Sequence, residues 1–202
     1  MRFFSFALAL CIAPFCFAHS VSRGNAVNDL ERLLYTSNET GVSIYDVNPV
    51  HKLLRKFDVP GTSKYKGIFA STSPGKLYLT SNSKDELVSI NLGTEKIGWR
   101  HQYDGGYAES QAIAPGGRTL YVPMRDGDSW RVINTASGEV KAKIRTERDA
   151  NYIDHPILGV GPYNTCMNPA GTRVYMSILT VPWVYIADIQ IGNGKPVKAG
   201  HR

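Results

Sequence analysis

Apolar and polar positions alternate in short runs along most of this chain, and each run is cut by Pro, Gly, Asn or Asp before it could complete three helical turns. Strict alternation predicts half-buried β-strands, because successive side chains of a strand point to opposite faces. Four such runs end on an Asx residue: Val42-Ser43-Ile44-Tyr45-Asp46, Leu87-Val88-Ser89-Ile90-Asn91, Arg131-Val132-Ile133-Asn134 and Val184-Tyr185-Ile186-Ala187-Asp188. A second series, Leu34-Tyr35, Leu77-Tyr78, Leu120-Tyr121 and Val174-Tyr175, runs ahead of it in step. The tyrosines are 43, 43 and 54 residues apart and the Asx residues 45, 43 and 54, so one unit recurs four times with an insertion of about ten residues before the last copy.

The turns between runs have a chemical reason. Ser73-Pro74-Gly75, Ala114-Pro115-Gly116-Gly117 and Asn168-Pro169-Ala170-Gly171 precede the last three tyrosine strands; Pro fixes φ and Gly takes the left-handed position. Asn28-Asp29 opens a degenerate first copy. Gly93 and Gly138 follow the Asx residues, whose side-chain oxygens can accept backbone N–H bonds and fold the chain back. Each unit thus holds four strands, the last one amphipathic, as in Lys141 to Thr146, to face water. Four-stranded units of about 43 residues in tandem predict an all-β fold, a β-propeller with four blades visible. The blades are expected at about 21–62, 63–105, 106–148 and 149–202, with residues 149–163 as an inserted loop.

The segments INTASGEV at Ile133 to Val140 and NPAGTRVYM at Asn168 to Met176 resemble the YVTN-type propeller repeat. The resemblance covers most of residues 28 to 200. It implies relatives with about seven blades, among them surface-layer proteins, lactonase-like enzymes and propeller subunits of quinoprotein dehydrogenases. Four copies are then a partial ring: an incomplete copy of a longer protein, a ring completed by self-association or by a protein partner, or a small closed propeller.

Arg2 followed by the apolar run Phe3 to Phe17 predicts a secretory signal peptide over residues 1–18, cut after Ala18, and hence a secreted or periplasmic protein with no membrane span after cleavage. Of three cysteines only Cys166 outlasts that cut, so no internal disulfide is expected; its strand position reads as a buried structural thiol. The formal charge of +6 is mild, and the basic residues are spread along strands, which excludes a nucleic-acid partner as an expectation. There is no P-loop, dinucleotide fingerprint or GxSxG elbow; no catalytic residue, metal site or cofactor is assigned.

In a propeller the innermost strands and the loops that lead into them line the axial mouth. Aligning the units places Lys66, Tyr107, Glu109, Tyr163 and Asn164 there, a set of cation, carboxylate and phenols suited to a small polar ligand. The inserted loop adds Asp154 and His155, in which a carboxylate beside an imidazole could raise its basicity. The function expected is a binding or scaffold module. The alternatives are a propeller enzyme of the lactonase-like or quinoprotein dehydrogenase-subunit type, with Glu109 and His155 as acid/base or metal-ligand candidates, and a truncated, non-catalytic fragment of one.

Overall fold

The computed structural model describes residues 16–17, 32–48, 50–81, 84–104, 106, 110–127, 129–145, 161–178, 184–189 and 196–197. All the regular structure among them is β. Four antiparallel four-stranded sheets follow one another: β1 (Cys16–Phe17), β2 (Leu33–Ser37), β3 (Gly41–Asp46) and β4 (Lys52–Asp58) form blade 1. Blade 2 is β5 (Tyr65–Ser71), β6 (Lys76–Ser81), β7 (Glu86–Asn91) and β8 (Ile97–Gln102). Blade 3 is β9 (Ala112–Ile113), β10 (Thr119–Pro123), β11 (Ser129–Asn134) and β12 (Val140–Arg145). Blade 4 is β13 (Pro162–Met167), β14 (Arg173–Ile178), β15 (Val184–Ile189) and β16 (Pro196–Val197).

The repeat read from the tyrosines is a repeat of register. Tyr35, Tyr78, Tyr121 and Tyr175 pair with Cys16, Phe69, Ala112 and Cys166 on the innermost strand, and with Ile44, Ser89, Val132 and Ile186 on the third. The outer turns repeat as well. Backbone N–H groups of Gly93 and Thr94 donate to the Asn91 side chain, that of Ala136 donates to Asn134, and that of Asn48 donates to Asp46. The carbonyls of Asn91 and Asn134 each accept from the residue four further on, Glu95 and Gly138, both at positive φ.

Three apolar cores lie between blades, one for each consecutive pair. Tyr35, Val42 and Ile44 of blade 1 pack on Leu77, Leu79, Val88 and Ile90 of blade 2. Tyr78 and Leu87 pack on Leu120, Val122 and Ile133 of blade 3, and Tyr121, Trp130 and Val132 pack on Val174, Met176 and Ala187 of blade 4. Each blade therefore has a forward face, carrying its tyrosine, and a backward face, which in blades 2 to 4 carries the apolar residues on either side of it. Alternation dictates this division, and burial stabilises it by roughly 1.5–3 kcal/mol for each large apolar side chain.

Two observations bear on the sequence reading. Cys16 and Phe17, inside the segment expected to be removed as a signal, pair with Tyr35 and Leu34 as the innermost strand of blade 1. A cut after Ala18 would take that strand out of the sheet. Cys166, expected to be buried, is exposed. Its counterparts Phe69 and Ala112 lie on forward faces backed by a following blade, whereas no following blade covers the forward face of blade 4 among the described residues.

Candidate functional site

The connections between blades and the turns between each second and third strand lie at one end of the sheets, opposite the Pro/Gly and Asx turns. Here the innermost strands of blades 2 and 4 begin with a β-bulge. Tyr65 pairs with Ser81 and Gly67 with Thr80, so Lys66 is the extra residue. In blade 4, Pro162 pairs with Ile178 and Asn164 with Ser177, so Tyr163 is the extra residue. Each stands three positions before the partner of its blade's tyrosine, Phe69 or Cys166. A bulge bends its strand and re-aims a side chain that alternation would have committed to a sheet face.

Around the Lys66 bulge the backbone is held by side chains. The Gly67 N–H donates to Thr80 Oγ1 at 2.7 Å, and the Ser81 hydroxyl donates to the Ser63 carbonyl. The Tyr65 hydroxyl reaches the carbonyls of Thr62 and Thr40, both at 3.2 Å, tying blade 2 to blade 1. Burial pushes this phenol up to about 12; Arg100 opposes the shift, and Glu86 and Asp58 add to it. Glu86 is the charged group at the centre: 3% exposed, it accepts from Thr62 Oγ1 at 2.6 Å and lies 3.5 Å from Arg100 Nε. Arg100 donates onward to the Pro60 carbonyl at 2.6 Å. The pair clamps the connection from Val59 to Ser63.

At blade 4 the Tyr163 ring lies 5.7 Å from the Arg125 guanidinium carbon, a cation–π contact reaching from the turn of blade 3 to the bulge. A side chain at Gly161 would meet the Gly127 carbonyl at 2.6 Å, so the chain can enter β13 at this spacing only with glycine there. Arg131, 5% exposed, donates to Ser129 Oγ at 2.5 Å and to the Asp104 carbonyl at 2.9 Å, fixing the segment that leads into blade 3.

Of the residues expected at the mouth, Lys66 is exposed and Tyr163 half-buried at equivalent bulges. Asn164 is exposed on the forward face of blade 4, beside Cys166. Tyr107, Glu109, Asp154 and His155 lie outside the described residues. By sequence offset Glu109 stands three positions before Ala112, as Lys66 does before Phe69. The sequence reading missed Arg125, Glu86 and Arg100. Glu86 did leave a signal, a carboxylate opening a strand whose next two residues are apolar; Arg125 left none, since its role depends on a residue 38 positions away. Among the described residues, no group of three or more His, Cys, Asp and Glu is placed to hold a metal ion, and no helix is long and apolar enough to cross a membrane.

Sheet order, register and inter-blade cores define a β-propeller. No protein-family model matches the sequence, so the YVTN-type resemblance stays a resemblance, and no curated protein matches it. Solved structures do. Hydrazine synthase from Kuenenia stuttgartiensis superposes with a TM-score of 0.65 at 16% identity, over 98% of this chain and 53% of that one. Dihydro-heme d1 dehydrogenase NirN, in complex with DHE, superposes with a TM-score of 0.62 at 16% identity, over 90% of this chain and 37% of that one. Both are β-propeller proteins, and at this identity the likeness is one of fold. The chain spans about half the length of the first and just over a third of the second.

Proposed function

We propose that this chain is a secreted or periplasmic propeller module that binds a small polar ligand at the end of the sheets bearing the blade connections. The observation that carries the reading is the pair of bulges, which give Lys66 and Tyr163 the same register position in blades 2 and 4. Bulges concentrate where a side chain must be re-aimed, and a mouth offering a lysine, an arginine-backed phenol and the Asn164 carboxamide suits a ligand rich in acceptors. Buried ionic and hydrogen-bonded groups hold the connections into blades 2 and 3, so this part of the mouth is positioned before any ligand arrives.

A thermal-shift and calorimetric screen of the purified chain against citrate, inorganic phosphate and a set of sugar acids tests this. At least one is expected to raise the melting temperature, and Lys66→Ala and Tyr163→Ala are each expected to weaken its binding about tenfold or more. Binding that is unchanged in both variants, or no binding by any probe, would defeat the reading. The secretory part predicts His19 as the first residue of the exported protein, by N-terminal sequencing. A second reading, a propeller enzyme, draws on the enzyme names of both structural neighbours. It makes Glu109 and His155 the groups to substitute, and turnover of a substrate that survives Glu109→Gln and His155→Ala would remove them.

A further inference from the structure

Most of the exposed large apolar side chains among the described residues gather at the end of the sheets opposite the mouth, where each outer strand leaves its Asx turn. Leu53, Ile97 and Val140 hold one register position in blades 1, 2 and 3, opposite Tyr45, Ile90 and Ile133, and are 42%, 39% and 39% exposed. The exposure belongs to the position: the rows that Ile97 and Val140 continue, Leu77–Ile90 and Leu120–Ile133, are fully buried against the preceding blade. Each Asx turn rests on the outer strand before it, so the apolar positions follow one another from blade to blade. Arg55 of blade 1 contacts Glu95 of blade 2, and the His101 ring of blade 2 reaches the Ser137 carbonyl of blade 3 at 2.9 Å. Charge at this end is one-sided. Lys52, Lys96 and Lys141 flank the apolar positions, and Arg118 is exposed in the neighbouring Pro/Gly turn. Among the described residues the acids at this end already have partners: Asp46 accepts from the Asn48 N–H, Glu95 from Arg55, Glu139 from the Ser137 hydroxyl and Asp188 from Arg173. Lysines on an outer strand guard it against pairing with another strand, but that duty calls for charge and not for a row of exposed aliphatic side chains.

We infer that this end of the propeller docks on an anionic lipid surface. Leu53, Ile97 and Val140 enter the boundary between headgroups and acyl chains, and Lys52, Lys96 and Lys141 meet the lipid phosphates. Binding at such a boundary sums two contributions, apolar area removed from water and attraction of cations to the charged leaflet, and this end of the sheets offers both. The inference is independent of the ligand reading: the bulges at Lys66 and Tyr163 lie at the opposite end and stay open to solution when the chain is docked.

Co-sedimentation of the purified chain with vesicles of phosphatidylcholine alone, and of phosphatidylcholine with about one-third phosphatidylglycerol, tests this. The chain is expected to sediment with the anionic vesicles and to stay in solution with the neutral ones. Replacing two cations, Lys96→Ala with Lys141→Ala, is expected to lower the partition coefficient about thirtyfold. Ile97→Ser with Val140→Ser is expected to lower it about tenfold or more at unchanged charge. Lys84→Ala, an exposed lysine in the β6–β7 turn at the mouth end, is expected to leave it unchanged. All five positions are exposed, and unchanged circular dichroism confirms that each variant keeps the fold. No sedimentation with anionic vesicles, or equal sedimentation with neutral ones, would overturn the inference. So would a loss as large for Lys84→Ala as for Lys96→Ala, the mark of net charge without a docking face, or full binding by the Ile97→Ser, Val140→Ser chain. A soluble oligomer that this last pair of substitutions dissociates would overturn it too, because the apolar positions would then cover a protein.

Discussion

Gly116 and Gly117 are neighbours in the same turn, both in left-handed backbone, with φ of +81° and +71°, yet they differ in what a side chain would meet. A methyl group at Gly116 has nothing within 4 Å; at Gly117 it would collide with the Ser73 carbonyl and the Pro74 ring of the preceding blade. Alanine at either position costs about 1–2 kcal/mol for the left-handed conformation alone. At Gly117 the colliding atoms are backbone and a proline ring, which cannot swing aside, so blades 2 and 3 must part locally at a further cost of about 1–3 kcal/mol. The expectation is thus a loss of about 1–2 kcal/mol for Gly116→Ala and about 2–5 kcal/mol for Gly117→Ala. Urea unfolding followed by tryptophan fluorescence measures both, with equal denaturant dependence showing that the same unit unfolds. If the two losses agree within about 0.5 kcal/mol, the turn of blade 3 does not rest on the turn of blade 2 and the two blades are not spaced so closely there.

Three further outcomes follow from the same geometry. Glu86→Ala removes the buried acceptor of Thr62 and the ionic partner of Arg100, and is expected to cost about 1.5–3 kcal/mol in urea melts, more than Arg100→Ala, whose side chain is partly in solvent. Tyr103→Phe removes the hydrogen bond that its hydroxyl donates to the Gly138 carbonyl at 2.6 Å and is expected to cost about 1 kcal/mol. Burial raises the phenols of Tyr65 and Tyr78 to about 12 and moves Tyr103 and Tyr121 the same way, so the unfolded chain releases these protons first. Stability should therefore hold below pH 10 and fall from there to about pH 12; tyrosinate absorbance that reaches the full amplitude of all eleven tyrosines near pH 10 with no loss of near-ultraviolet circular dichroism would count against these four being buried.

What was legible in the sequence is what repeats. The tyrosine and Asx spacings carried the strand register, and Pro, Gly and Asn at the turns carried hydrogen bonds that the structure shows at Asn91, Asn134 and Asn168. Pairing of Cys16 and Phe17 was not legible, because a continuous apolar run has no period that distinguishes a strand from a signal segment. The exposure of Cys166 was missed because burial of an innermost strand depends on the blade that follows it, which local pattern does not report. At the mouth, the offsets placed Lys66 and Tyr163 at one register position; the Arg125–Tyr163 and Glu86–Arg100 contacts arise from packing between distant segments, which no spacing encodes. Along and just past the outer strand of blade 2, Trp99, His101 and Tyr103 form a ladder of ring contacts and reach the carbonyls of Thr135, Ser137 and Gly138 in blade 3.

Blades pack face to face in chain order, and the hydrogen bond from Trp130 Nε1 in blade 3 to Thr165 Oγ1 in blade 4, 2.8 Å long and buried, exists only if they do. In a double-mutant cycle of Trp130→Phe and Thr165→Val, each single change leaves a buried polar group without its partner, and the double change removes both groups. The account predicts a coupling of about 1–3 kcal/mol between Trp130 and Thr165, and none between Trp130→Phe and Thr80→Val in blade 2. Additive losses in the first cycle would contradict it, because blades 3 and 4 would then not share a core.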